Sequence, residues 1–414
     1  MTEASGQTRF ITLDALRGFA VMGILAMNII GFAMPEWAYV SPGAYGGETL
    51  VDRICWFLSL IFIDGKMRGL FSLLFGASMM LVIDRAEEKQ QSAARTHYAR
   101  MVWLALFGLA HYFLLWFGDI LFLYASVGCL AYLMHQWEPK RLIKWALIVY
   151  VLGVLLWAAQ FGALQALQWA ATQPGADPET VRSYREVLAS DDFNTNIANE
   201  LALHRGSWAG IFADKAAEWW SPLIGILMSI TETLPLMMLG MAMKKNGFLT
   251  GDWAEADYRR WINRLLPAGF LISAMLGAYA WAGNFNPIDM IANFLAWTAI
   301  PRLMLTIGYA ALLILWIRKL SGSAFLDRVA ATGRAAFTNY LGTSIVMTTI
   351  FYGYGLGMYG YVSRPTLWLF VLGAWGVMLL WSKPCLERFQ YGPLEWLWRS
   401  LARMELQPMA RARS

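Results

Sequence analysis

The sequence predicts an all-α integral membrane protein that crosses the bilayer about ten times, and three observations carry that fold class. Hydrophobic residues make up 58% of the 414 and charged residues only 15%, too apolar a balance for a water-soluble globule, so lipid must be the solvent. The apolar residues gather into runs at about 15–34, 66–84, 101–117, 119–135, 144–166, 219–243, 265–283, 288–316, 335–352 and 365–382. Each is long enough, or nearly so, to cover roughly 30 Å of hydrocarbon. Basic residues fall in alternate loops: with a cytoplasmic N-terminus, 24 of the 33 Lys and Arg lie in inner segments and eight in outer ones, with Arg302 inside a span. That bias puts both termini in the cytoplasm and explains the net charge of +5 without nucleic acid as a partner.

The remaining organisation follows from the same accounting. Residues 49–64 are apolar but short and end in Asp64-Gly65-Lys66, and an eleventh crossing there would reverse the charge bias, so they are read as re-entrant or surface-lying. Residues 1–382 then form one transmembrane domain with an outer segment, 167–218, inserted, and 383–414 form a basic cytoplasmic tail. The first span is no secretory signal peptide, because it contains Asp14 and Arg17 and lacks a small-residue cleavage site. Cys55, Cys129 and Cys385 are isolated, and an odd count without CxxC argues against a disulfide framework or a zinc site. P-loop and HExxH signatures are absent, as is any evident internal repeat, which weakens an inverted-repeat transporter.

In chain order, the first span places Asp14 and Arg17 on one face, with Asn28 about three turns further on. A charge at the centre of a membrane helix costs roughly 2.5 to 3.5 kcal/mol, so Arg17 needs a partner or water. Asp14 and Arg17 either pair at the interface to orient the helix or form the floor of a polar site. The loop that follows is rich in Gly and Pro, and Glu36 and Tyr39 are its candidate reactive groups. Asp64, Lys66 and Arg68 open the second span, as an interfacial charge cluster or with Arg68 meeting an anionic substrate from the outer side; Gly76 and Ser78 let another helix approach closely. His111 lies within the third span and Asp119 follows the break at Gly118. If the two meet, the carboxylate fixes the imidazole tautomer and raises its basicity, as a general base requires; otherwise His111 is a neutral side chain bonded to a backbone carbonyl.

His97, His135 and His204 fall in loops and are read as solvated. The outer segment starts a helix at Asp177-Pro178, and its short helices either cover the loops or form a lid. Glu232 sits between Thr231 and Thr233 near Pro235, and Pro301-Arg302 sits within the eighth span. Breaks at these prolines would line a cavity, and Glu232 and Arg302 are natural partners. Arg334 marks the inner interface, while Asn339 can hydrogen-bond across helices. In the tail, Leu394, Leu397, Trp398 and Leu401 form one side of an interfacial helix begun by Pro393.

LDALRGFAVMGILAMN at 13–28 resembles the opening helix of the YeiB family of bacterial membrane proteins. KMRGLFSLLFG at 66–76, HYFLLWFGDILFLYA at 111–125, GRAAFTNYLGTS at 333–344 and FQYGPLEWLW at 389–398 carry that likeness through the chain. The same helix is similar, more distantly, to membrane O-acyltransferases, where a catalytic His stands at the position of Asn28. It is also similar to heparan-glucosaminide acetyltransferases, where an Asn is followed by an active His in the next loop; here no His precedes residue 95. The resemblance implies a transmembrane acyltransferase fold, the bacterial inner (plasma) membrane, and acyl-coenzyme A as donor. On that reading an acyl group passes from a cytoplasmic thioester near Asp14, Arg17 and Arg334 to an outer acceptor near Asn28, with His111 and Asp119 catalytic. The alternative is a transporter or flippase in which Arg17, Glu232 and Arg302 bind a small anionic molecule. Arg68 and Asn339 complete the substrate-binding candidates. Membrane lipids and a small-molecule or lipid-like substrate are the implied partners, with a homodimer left open. Both readings expect Arg17, His111, Glu232 and Arg302 to face one common chamber.

Overall fold

The middle of the molecule is helix α1 (Thr2–Ala33). The computed structural model describes residues 2–189 and 197–410, with side chains from residue 11 onward. The apolar residues of α1 run all round the helix rather than along one stripe, the pattern of a helix meant to be surrounded, and 83% of its most apolar stretch is buried by protein. Around it pack α4 (Lys66–Glu88), α14 (Ala299–Lys319), α15 (Ala324–Arg334), α16 (Ala336–Phe351) and α17 (Arg364–Arg388). α7 (Pro139–Thr172), α12 (Glu255–Ala282) and α17 lie at the rim, where only 22–28% of the corresponding stretch is covered. Their exposed Leu152, Leu155, Leu271, Met275, Leu369 and Leu372 make the contact with hydrocarbon.

The protein is an all-α polytopic membrane protein. Among the described residues seven helical stretches are long and apolar enough to cross a bilayer: Ile11–Ala33, Leu50–Glu88, Pro139–Thr172, Ser221–Lys245, Glu255–Ala282, Ala299–Lys319 and Arg364–Arg388. The second of these is two helices, α3 (Leu50–Phe62) and α4, joined by a turn at Asp64-Gly65. Thirteen residues reach only about 20 Å, so α3 cannot cross alone; it lies against α12 and α17. The crossings expected at 101–117, 119–135 and 335–352 fall on α5 (Ala93–Leu114), α6 (Leu121–Tyr132) and α16, which are not among the seven. The physical reason for α6 and α16, 12 and 16 residues long, is that they pack on other helices. α6 contacts α4, α5 and α11 (Ser221–Lys245), and a helix surrounded by protein need not match the thickness of lipid.

The expected short helices of the insertion are α8 (Pro178–Ala189), α9 (Ile197–His204) and α10 (Trp208–Ala217). Residues 190–196 of the insertion and 411–414 of the tail lie outside the described residues. α9 and α10 are pinned down rather than free. The Glu200 carboxylate accepts the Glu36 backbone N–H at 2.7 Å and the Tyr359 hydroxyl at 3.0 Å. Trp208 Nε1 donates to the Leu114 carbonyl at 2.8 Å, and Lys215 Nζ to that of Tyr112 at 3.0 Å.

Three histidines read as solvated are buried. His97 meets the Gly128 carbonyl at 3.1 Å, His135 that of Tyr132 at 2.6 Å, and His204 that of Glu200 at 3.0 Å, each with its ring against a tyrosine. A neutral imidazole with one carbonyl and one aromatic face loses little by leaving water, which a loop position in the sequence does not reveal. The tail helix α18 (Pro393–Arg403) also finds protein rather than lipid alone. Its Glu395 carboxylate accepts the Phe337 and Thr338 N–H groups at the start of α16, at 2.7 and 3.0 Å, while Leu394 and Trp398 pack on the core.

Candidate functional site

Glu232, near the middle of α11, is where charge collects at membrane depth. Its Oε2 accepts from Arg68 Nη2 at 2.7 Å, and its Oε1 lies 3.7 Å from Arg302 Nε. Arg68, not Arg302, is therefore its closer partner, and Arg68 points into the bundle rather than outward. Two local features of the chain bring these groups together. Gly65 opens α4 with φ 73°, in the left-handed region, and a Cβ there would overlap the aliphatic stem of Arg302, so glycine lets that stem cross the turn. Arg302 follows a π turn, Asn293–Trp297, whose Asn293 carbonyl accepts both the N–H (3.1 Å) and the hydroxyl (2.6 Å) of Thr298.

The proline breaks expected here are corrected. α11 runs unbroken through Pro235, packed on α4 and α7; the cost is the helical bond to the Thr231 carbonyl, which proline cannot make. The span expected at 288–316 is instead α13 (Pro287–Ala292), the π turn and α14, and Pro301 sits in the first turn of α14, where a missing N–H costs nothing.

Beside the three charges lies a cavity of about 240 Å³. Arg68, Glu232, Arg302 and Tyr150 form its polar floor, and Val154, Trp157, Met228, Phe294 and Leu295 its apolar walls. The Tyr150 hydroxyl is committed to the Ala299 carbonyl at 2.7 Å. Arg302 is not committed: only 6% exposed, it has a buried Nε without a hydrogen-bond partner, and no other hydrogen bond among the described residues reaches its guanidinium. A planar group with five donors, two arginines on one carboxylate, and a void alongside are chemically suited to taking up a carboxylate or phosphate.

Glu36, on the short α2 (Glu36–Val40), lines the rim of the same cavity at the end of the bundle that carries the insertion. Water reaches its side chain, yet protein surrounds most of it. That desolvation, and then the Glu200 and Glu218 carboxylates, push its carboxyl up to about 7.

The other sequence candidates are elsewhere, so the common chamber does not form. Arg17 binds Asp14 Oδ1 and Ser78 Oγ, each at 2.9 Å. Ser78 is ten residues, about 15 Å, along α4 from Arg68, which is what separates the two arginines. Arg334 is exposed at that same end, within electrostatic reach of Asp14. Asn339 staples helices together, donating to the Thr332 carbonyl at 3.1 Å and Ser382 Oγ at 3.2 Å and accepting from Trp381 Nε1 at 2.9 Å.

His111 and Asp119 do meet, Nδ1 to Oδ1 at 2.8 Å, with side chains 0% and 2% exposed. Asp119 Oδ2 also caps α6 by accepting the Phe122 N–H at 2.8 Å. With Nδ1 facing the carboxylate, Nε2 is left without a hydrogen-bond partner. Tyr340 packs its ring 5.2 Å from that imidazole, and with Asn28 it lines a separate void of only about 10 Å³. Neither His111 nor Asp119 lines the larger cavity.

Sequence reasoning passed over Tyr150, Trp157 and the π turn. It also passed over a buried Asp289, whose carboxylate accepts from Gln165 (2.6 Å) and Gln168 (3.1 Å). An acid two residues after a helix-starting proline was the visible signal. Among the described residues no group of His, Cys, Asp or Glu could hold a metal ion.

Comparison with known proteins gives a consistent answer. Residues 242–405 match the family model described as a protein of unknown function, DUF418. The chain is 32% identical over 408 residues to Escherichia coli (strain K12) YeiB, covering 95% of this chain and 96% of that protein. It is 30% identical over 412 residues to Bacillus subtilis (strain 168) YxaH, covering 97% and 96%. No solved structure matches it.

Proposed function

We propose, from the premise that this chain belongs to the YeiB (DUF418) family of membrane proteins, that it binds a small anionic or lipid-like molecule between Arg68 and Arg302 and carries it through the membrane. The observation that supports this reading is the Arg302 guanidinium, buried against a cavity with its donors unused. A cation at that depth that only shares a carboxylate, 3.7 Å away, with a second arginine is under-compensated, and an incoming carboxylate or phosphate would lower that cost. The proposal includes the bacterial inner membrane, with both termini cytoplasmic. The test is flux of a fluorescent anionic lipid in proteoliposomes, read by quenching of the label in one leaflet. Wild-type protein should accelerate exchange, and Arg302→Ala should abolish it while still eluting as a single folded species. Equal exchange by both would remove the carrier reading.

Acyl transfer is the second reading, favoured by one observation: the bare Nε2 of His111, oriented by Asp119 and close to Tyr340. On it, His111 would take the proton of an acceptor hydroxyl as its oxygen bonds the acyl carbon of a coenzyme A thioester, and return that proton to the coenzyme A sulfur as the carbon–sulfur bond breaks. Calorimetric titration of acetyl-coenzyme A distinguishes the two: heat lost in His111→Ala favours transfer, and no heat in the wild type disposes of it.

A further inference from the structure

α7 and α11 touch and together bound the cavity. At the level of Gly153 the two are in contact, since a Cβ on that glycine would overlap the Thr231 side chain. Six residues earlier on α11, about 9 Å further toward the insertion end, a Cβ on Gly225 would meet nothing within 4 Å. Gly225 and Met228 are exposed on the outside of the molecule and also line the cavity, and Val154 and Trp157 do so, half-buried, from α7. The cavity is thus open along its α7 and α11 edge, a side window toward the guanidinium of Arg302.

We infer that the occupant is an anionic lipid of the surrounding bilayer, entering sideways between α7 and α11 with its phosphate on Arg302 and Arg68 and its acyl chains left in the membrane. This rests on the cavity being a binding site, as proposed above, and goes beyond it in naming the ligand class and route. Three features select a lipid over a dissolved anion. About 240 Å³ falls below the roughly 300–1,000 Å³ of sites that engulf a whole ligand, so the site has room for a head and the start of a chain. The walls grade from charged at Arg68 and Arg302 to apolar at Trp157 and Met228, matching an amphiphile from head to tail. The carboxylate of Glu36 stands at the aqueous rim and repels a free anion there, while the window between the helices carries no charge.

Detergent-purified protein titrated with phosphatidylglycerol, phosphatidylcholine and glycerol 1-phosphate, read by native mass spectrometry, tests this. Phosphatidylglycerol should bind about ten-fold or more tightly than either of the others. Gly225→Trp, which fills open space, should weaken phosphatidylglycerol binding by a similar factor; Met228→Trp serves the same end if the first variant misfolds. Undiminished lipid binding in both variants, equal binding of phosphatidylcholine, or equal binding of glycerol 1-phosphate overturns the lipid route. Arg302→Gln separates the two levels of the argument: if it leaves every ligand unchanged, the cavity itself is no anion site and the reading beneath this inference falls with it.

Discussion

Two clusters of ionisable side chains sit inside this protein, and what surrounds them differs. His111 and Asp119 are sealed, the acid bonded to both the imidazole and the Phe122 N–H, and neither lines the larger cavity. Arg68, Glu232 and Arg302 hold more cation than anion, leave Arg302 under-bonded, and face open volume. An ionisable residue at membrane depth is a functional candidate by default, and the contrast between these two lies in access to open volume. Each leaves one buried nitrogen without a partner, His111 Nε2 and Arg302 Nε, but only Arg302 lines the larger cavity.

That contrast can be broken or sharpened in order of expected effect. Asp119→Ala should be the most damaging to the fold, by about 3 kcal/mol in detergent unfolding, since it strips a buried imidazole and a helix start of their acceptor. It should leave anion binding at the cavity within two-fold, roughly the noise of such titrations. Loss of cavity binding without unfolding would show the clusters to be one site. Glu232→Ala should destabilise by about 2 to 3 kcal/mol, because two arginines lose their shared counter-charge. It should also tighten anion binding, and weaker binding would mean that Glu232 itself holds the ligand.

Smaller effects come from the helix contact and the rim. Gly153→Val should cost about 1 to 3 kcal/mol by forcing α7 off α11, while Gly225→Val, in open space, should be near neutral; equal costs would close the window between the helices. The Glu36 carboxyl, raised to about 7, is largely neutral below that pH and charged above it, so anion affinity should fall as pH rises through 7 and level off beyond. Glu36→Gln should flatten that dependence, a change of about three-fold measured by titration at pH 6 and pH 8. Asp14→Asn, in a pair about one-quarter exposed at the bundle end, should change stability by about 1 kcal/mol or less.

What the sequence by itself determined is whatever depends on composition and on neighbours along the chain. Apolar runs dictate lipid as solvent, because unbonded backbone is too costly there for anything but helices. The Asp14–Arg17 pair is one helical turn apart, and the His111–Asp119 contact spans a single short break, so both could be read directly. What only the tertiary structure decided is everything reaching across the bundle. Arg68 reaches Glu232 over 164 residues because α4 and α11 cross there, and Gly65 yields room to Arg302 from a helix more than 230 residues later. Whether three charges share a cavity or scatter depends on helix depth to within a turn, a displacement of about 5 Å that hydropathy leaves undetermined but that packing of side chain against side chain resolves.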